Sequence, residues 1–173
     1  MLSFHKAELN DASAIADLVN SAYRGEGSRV GWTTEADLLD GLRITTPEIA
    51  TLIRRDDAFV LVGVLRDQVV ACIACEHNEN TAKFGLISVK PSLQNKGYGR
   101  EMIQAAEAIT AREWRVAGFY LSVITLRNEL IEFYERLGFE RSGQFEDFPQ
   151  NPSLWQPKVQ DLALEYLVKL IRR

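Results

Sequence analysis

The chain has 173 residues, of which 46% are apolar, and its 24 acidic and 20 basic side chains leave a net charge of −4. A chain of this length forms one domain, with a core that needs neither metal nor disulfide. The composition excludes a disordered or collagen-like chain and offers no basic surplus for general nucleic-acid binding, and apolar runs such as Phe59–Val64 fall far below the ~20 residues of a membrane span.

The start, Met1-Leu2-Ser3-Phe4-His5-Lys6, lacks the apolar run of a secretory signal, so the expected location is cytoplasmic. Alternating patterns then predict an α/β (α+β) chain without repeats or linkers. Residues 3–8 read as a strand. Asn10-Asp11 caps a helix with Ile15, Leu18, Val19, Ala22 and Tyr23 on one face. Arg24–Trp32, with glycines at 25, 27 and 31, reads as a flexible loop. Thr34 with Asp37 resembles a capping box opening a short helix through Leu42. Thr46-Pro47 opens another helix, with Pro at its first position and Ile49, Leu52 and Ile53 inward. Ala58–Leu65 and Gln68–Cys75 read as a hairpin turning at Arg66-Asp67, and Lys83–Val89 completes an antiparallel meander. A long helix over 97–114 follows, then a strand over 119–125 and a helix over 128–137. Strands over 139–145 and 162–170 close the sheet.

The stretch with the strongest chemical signal is Val89-Lys90-Pro91-Ser92-Leu93-Gln94-Asn95-Lys96-Gly97-Tyr98-Gly99-Arg100. Its glycines lie where a strand turns into a helix. Backbone amides there can converge on one point beside the positive helix end, which suits phosphate. Gln94, Asn95, Lys96 and Arg100 add donors or charge. A plain strand–helix turn is the competing reading. A nucleotide P-loop is ruled out because Arg100-Glu101 follows Gly99, and a dinucleotide fingerprint because position 102 is Met.

Gln94-x-x-Gly97-x-Gly99, preceded by Leu86-Ile87-Ser88-Val89-x-Pro91, resembles the acetyl-CoA signature of the GNAT superfamily of N-acetyltransferases. Asn128 followed by Phe133-Tyr134-x-x-x-Gly138-Phe139 is similar to that family's second segment. The resemblance covers most of the chain and implies one GNAT-like domain over 1–173. Its fold would be a mixed, mostly antiparallel sheet of about seven strands with four to five helices, splayed between the fourth (83–89) and fifth (119–125) strands. It implies acetyl-CoA as cofactor, with Ile87, Ser88 and Val89 along the thioester and pantetheine arm. The stretch from Gln94, Asn95, Lys96 and Gly97 to Tyr98, Gly99 and Arg100 would hold the pyrophosphate. Asn128 would sit beside the arm, and Tyr134 would serve as the acid that protonates the departing thiolate. The competing reading of Tyr134 is one more core aromatic.

The family's usual glutamate on the fourth strand is absent here, which leaves Glu76 or a water relay as base. The acceptor pocket is expected in 25–42, where Trp32 would stack on a substrate and Glu26, Glu35 or Asp37 would attract an amine; packed or solvated side chains are the alternative. The implied partner is a small-molecule amine, with no nucleic acid and no membrane, and a homodimer stays open. A non-catalytic acyl-CoA-binding module and a protein N-terminal acetyltransferase are the rival functions. No metal is expected. Cys72 and Cys75 lie three apart in a predicted strand, on opposite faces, and His5 and His77 are the only histidines. The basic end, Lys169, Arg172 and Arg173, reads as solvated.

Overall fold

The structure, a computed structural model, describes residues 1–172. Arg173, part of the basic end, lies outside them. Strand β1 (Ser3–Lys6) is followed by α1 (Ala12–Tyr23), β2 (Leu39–Gly41), α2 (Thr46–Arg54), β3 (Ala58–Leu65), β4 (Gln68–Asn78) and β5 (Thr81–Val89). Then come α3 (Tyr98–Trp114), β6 (Gly118–Ile124), α4 (Asn128–Arg136), β7 (Glu140–Asp147), β8 (Trp155–Pro157) and β9 (Ala163–Leu170). Seven strands form one sheet in the order β1-β3-β4-β5-β6-β9-β7, antiparallel except at β5–β6, so the expected mixed sheet is what forms.

Strand alternation sorts the core into two layers. Val60, Val62, Cys72 and Ala74 point to the face covered by α1 and α2. Phe59, Leu61, Ile73 and Cys75 point to the other face, against Met102, Ile103 and Ala106 of α3 and Leu130, Ile131 and Tyr134 of α4. The two thiols therefore face opposite layers and are free. α1 buries the anticipated face, Ile15, Leu18, Val19, Ala22 and Tyr23. α2 starts one residue earlier than read: Thr45 is the cap, in a reciprocal box with Glu48, and Pro47 is the second helical residue.

Two features open the sheet in its middle. Leu86 has φ of 51°, and between Cys72/Ser88 and Ala74/Gly85 strand β5 carries one residue more than β4. This bulge turns the strand. Beyond it β5 leaves β6, with which it pairs only over Thr81–Lys83 against Gly118–Tyr120. The gap between the two strands is the splay.

The segment 34–42 departs from its expected helix. Thr34 Oγ1 lies 2.5 Å from Ser28 Oγ and accepts from the Ala36 amide, while Asp37 pairs with Arg29 at 2.9 Å. The capping groups are thus occupied locally, and Leu39–Gly41 runs extended as β2 against β8, an element no sequence pattern announced. Glu26–Val30, expected as a flexible loop, forms a 3-10 turn fastened by buried Ser28. Together β2 and β8 form an arm whose apolar side packs Leu39, Phe148 and Trp155 over Ile124, Leu162 and Leu164.

Candidate active site

Two clefts meet at the splay. The first, about 600 Å³, lies between β5, the β5–α3 turn and α4. The second, about 320 Å³, lies on the other side, under the arm. Tyr23, Ile87, Leu130 and Tyr134 line both.

The β5–α3 turn is shaped for an anion. Asn95 (φ 62°) and Gly97 (φ 86°) are left-handed, which curls the intervening amides towards one side. No side chain caps Gly97, and Glu101 is the first helical amide to reach back, to the Gly97 carbonyl at 3.1 Å. The amides of Tyr98, Gly99 and Arg100 therefore have no intrahelical acceptor. Arg100 and Arg136 stand in the same lining, and the helix dipole adds its positive end.

Val89 faces the opening with its backbone. Lys90 donates to the Val70 carbonyl at 2.8 Å, so Val89, opposite Ala71, is the alternate residue of the ladder. Its peptide groups then point away from β4, into the splay. Its carbonyl accepts from Gln94 Nε2 at 3.0 Å. The rest of the Gln94 amide is also engaged within the chain. Its Oε1 accepts from the Trp32 amide at 2.8 Å, and its Nε2 also donates to Thr33 Oγ1 at 2.9 Å. This side chain clamps the 26–34 segment to the turn instead of standing free as a donor.

Tyr134 is 4% exposed, edge-on to Phe133 and Phe139. Among the described residues its hydroxyl has no hydrogen-bond partner, although it stands where the clefts join. Burial first, then the Tyr23 and Glu35 charges, hold its phenol well above the ordinary value, with Arg127 acting against them. Beside it the Tyr23 hydroxyl donates to the Ile87 carbonyl just past the bulge. Sequence reasoning placed Tyr23 on the core face of α1 and missed this role; the signal was the phenol, which seeks a partner when buried.

Of the other residues singled out, Ile87, Asn95, Tyr98 and Gly99 line the first cleft. Ser88, Lys96 and Asn128 do not. Ser88 is buried and donates to the Leu86 carbonyl, while Lys96 and Asn128 are exposed. Trp32 lines the first cleft and not the second, its ring 5.5 Å from that of Phe133. Glu26 lies in neither and pairs with Arg29 at the surface. Glu35 and Glu76 line the second cleft. Glu35 is gripped by Arg24 at 3.2 Å and Arg127 at 3.5 Å, and Glu76 by Arg55 at 2.5 Å. Both carboxylates are thus ion-paired within the chain. Arg24, Arg43, Lys83 and Arg127 were not anticipated, because only folding brings 24, 43, 83 and 127 together.

The sequence pattern of the acetyltransferase (GNAT) domain matches residues 56–141, from before β3 to the start of β7. The chain belongs to the GNAT acetyltransferases. Solved structures share the fold well beyond that stretch. The ribosomal-protein-S18-alanine N-acetyltransferase of Escherichia coli superposes with a TM-score of 0.71 at 15% identity, covering 100% of this chain and 96% of its own. A GNAT-family acetyltransferase of Streptococcus pneumoniae gives 0.69 at 16% identity, over 99% and 100%. A Bacillus anthracis protein, solved in complex with acetyl coenzyme A, gives 0.58 at 22% identity, over 72% of this chain and 68% of its own. GNAT acetyltransferases use acetyl-CoA, and the curled amides, the uncapped α3 start and the two arginines of the first cleft fit its pyrophosphate. Among the described residues no helix is long and apolar enough to cross a membrane, and no group of three or more His, Cys, Asp or Glu could hold a metal.

Proposed function

We propose that the chain, as one catalytic domain over 1–173, moves the acetyl group of acetyl-CoA onto the primary amine of a small molecule while both are bound. The observation that carries this is Tyr134: it lines the cofactor and acceptor clefts at once, with its hydroxyl unpaired. Acetyl-CoA supplies the activated acyl group and departs as a thiol. The amides of Tyr98, Gly99 and Arg100 hold its pyrophosphate end. The Val89 amide polarises the acetyl carbonyl as negative charge develops on oxygen.

The C–N bond forms as the C–S bond breaks. Tyr134 passes its proton to the departing sulfur, and the amine's proton leaves through water to Glu76. A phenol held well above 10 remains an adequate donor here, because burial raises the proton affinity of sulfur too. The Cys72 thiol in this same protein is pushed up to about 12. The small cleft under the arm, closed by Phe148, Pro149 and Trp155, supports a small acceptor over a protein chain.

The test is thiol release from acetyl-CoA across amino acids, polyamines, aminoglycosides and short peptides, with CoA affinity measured in parallel. Release on at least one small amine is expected. CoA binding without release on any amine would assign the chain to non-catalytic acyl-CoA sensing. Release on peptides alone would make it an N-terminal acetyltransferase.

A further inference from the structure

The acceptor cleft has the opposite polarity to the one a cationic substrate would need. Its charged lining consists of Arg24, Arg43 and Lys83 against Glu35 and Glu76. Each of the two acids is also held by an arginine from outside the lining, Arg127 for Glu35 and, for Glu76, Arg55, which Asp57 pairs as well. Among the described residues Arg43 and Lys83 have no carboxylate in ion-pair range. Positive charge is thus in excess.

Arg24 also holds a donor in reserve. Arg24 Nη1 and Nη2 reach the Leu42 carbonyl and Glu35, but Arg24 Nε is buried with no hydrogen-bond partner. The Arg24 side chain is only 3% exposed. Buried guanidinium donors are normally satisfied, so a donor left over on an arginine of this lining suits an anionic partner.

We propose that the acceptor amine carries an anionic group (carboxylate, sulfonate or phosphonate) that docks on Arg24 and Arg43, so that its amine faces the junction at Tyr134. This deepens the acetyl-transfer reading and rests on it. Lys83, on β5 and the cross-strand partner of Glu76 on β4, also lines the cleft and adds to the field. Polyamines and aminoglycosides are disfavoured by the same field.

The test pairs each α-amino acid with its carboxamide, sets taurine and 2-aminoethylphosphonate beside ethanolamine, and includes spermidine as a polycation. Thiol release gives kcat and KM, and calorimetric titration of the CoA-loaded protein reads binding without catalysis. At least one anionic amine is expected to turn over, with KM about tenfold below that of its neutral counterpart. Arg43→Gln should raise that KM about tenfold, leave the neutral counterpart's KM in place, and be largely rescued by Arg43→Lys. A structural defect would instead lower the melting temperature and both KM values would shift together. Preference for neutral amines or spermidine overturns the anionic class while leaving acetyl transfer standing. Anion-selective binding without thiol release upholds the class and removes the transfer reading. Neither selective binding nor turnover overturns the proposal.

Discussion

At the scale of single residues, the site turns on one side chain and one backbone conformation. Tyr134 was legible from Tyr-x-x-x-Gly-Phe; its position between two clefts was not, because that depends on where α4 docks. Tyr134→Phe removes the proposed proton donor and keeps the ring packing against Phe133 and Phe139. Turnover should fall about 10²-fold with CoA affinity unchanged, read by thiol release and CoA titration. The sign of its pH dependence follows from the raised phenol. The acid form persists through neutrality and beyond pH 10, so wild-type kcat/KM should rise as the amine deprotonates and show no falling limb from Tyr134 below that pH. Gly97 matters for its φ of 86° and not for space, since a Cβ there meets nothing within 4 Å. Gly97→Val forces a left-handed β-branched residue, at about 1–2 kcal/mol, and should weaken CoA about tenfold by titration. Gly97→Asn, which tolerates that conformation as Asn95 already does, should stay close to wild type.

At the scale of elements, the arm of β2 and β8 was the least legible part. Three-residue strands leave almost no periodic signal, and the Thr34–Asp37 pattern pointed to a helix whose capping groups bond elsewhere. Gly41 holds the arm together: at φ of 92° it passes so close to β8 that a Cβ would stand 2.2 Å from the Leu154 carbonyl oxygen. Gly41→Val should part the strands and uncover the acceptor cleft. Acceptor kcat/KM should fall about tenfold while CoA affinity, which depends on the other side of the splay, stays put. Equal loss on both substrates would mean that the arm supports the whole sheet. The bulge at Leu86 is the second such element. It produces the splay, and its one local signal in Lys83–Val89 is Gly85, since a glycine inside a strand often marks a bulge.

At the scale of the molecule, the two core layers put Cys72 and Cys75 against opposite helix pairs, both fully buried. Burial pushes the Cys72 thiol to about 12 and raises Cys75 as well, so neither forms thiolate near neutrality. Iodoacetamide at pH 8 should leave the native protein unmodified by mass spectrometry and label both thiols once it is unfolded. Labelling of the native form would mean that the sheet opens locally on either face. The sequence by itself determined the class of sheet, most element positions, the glycine turn before α3 and the place of Tyr134 on α4, because these depend on local periodicity, left-handed glycine and short motifs. Only the tertiary structure decided the charge of the cleft under the arm, the proposed acceptor site. Glu35 read as an attractor for amines until folding set Arg24 and Arg127 against it, and the sum of charges in a cleft is a property of residues that meet only in space.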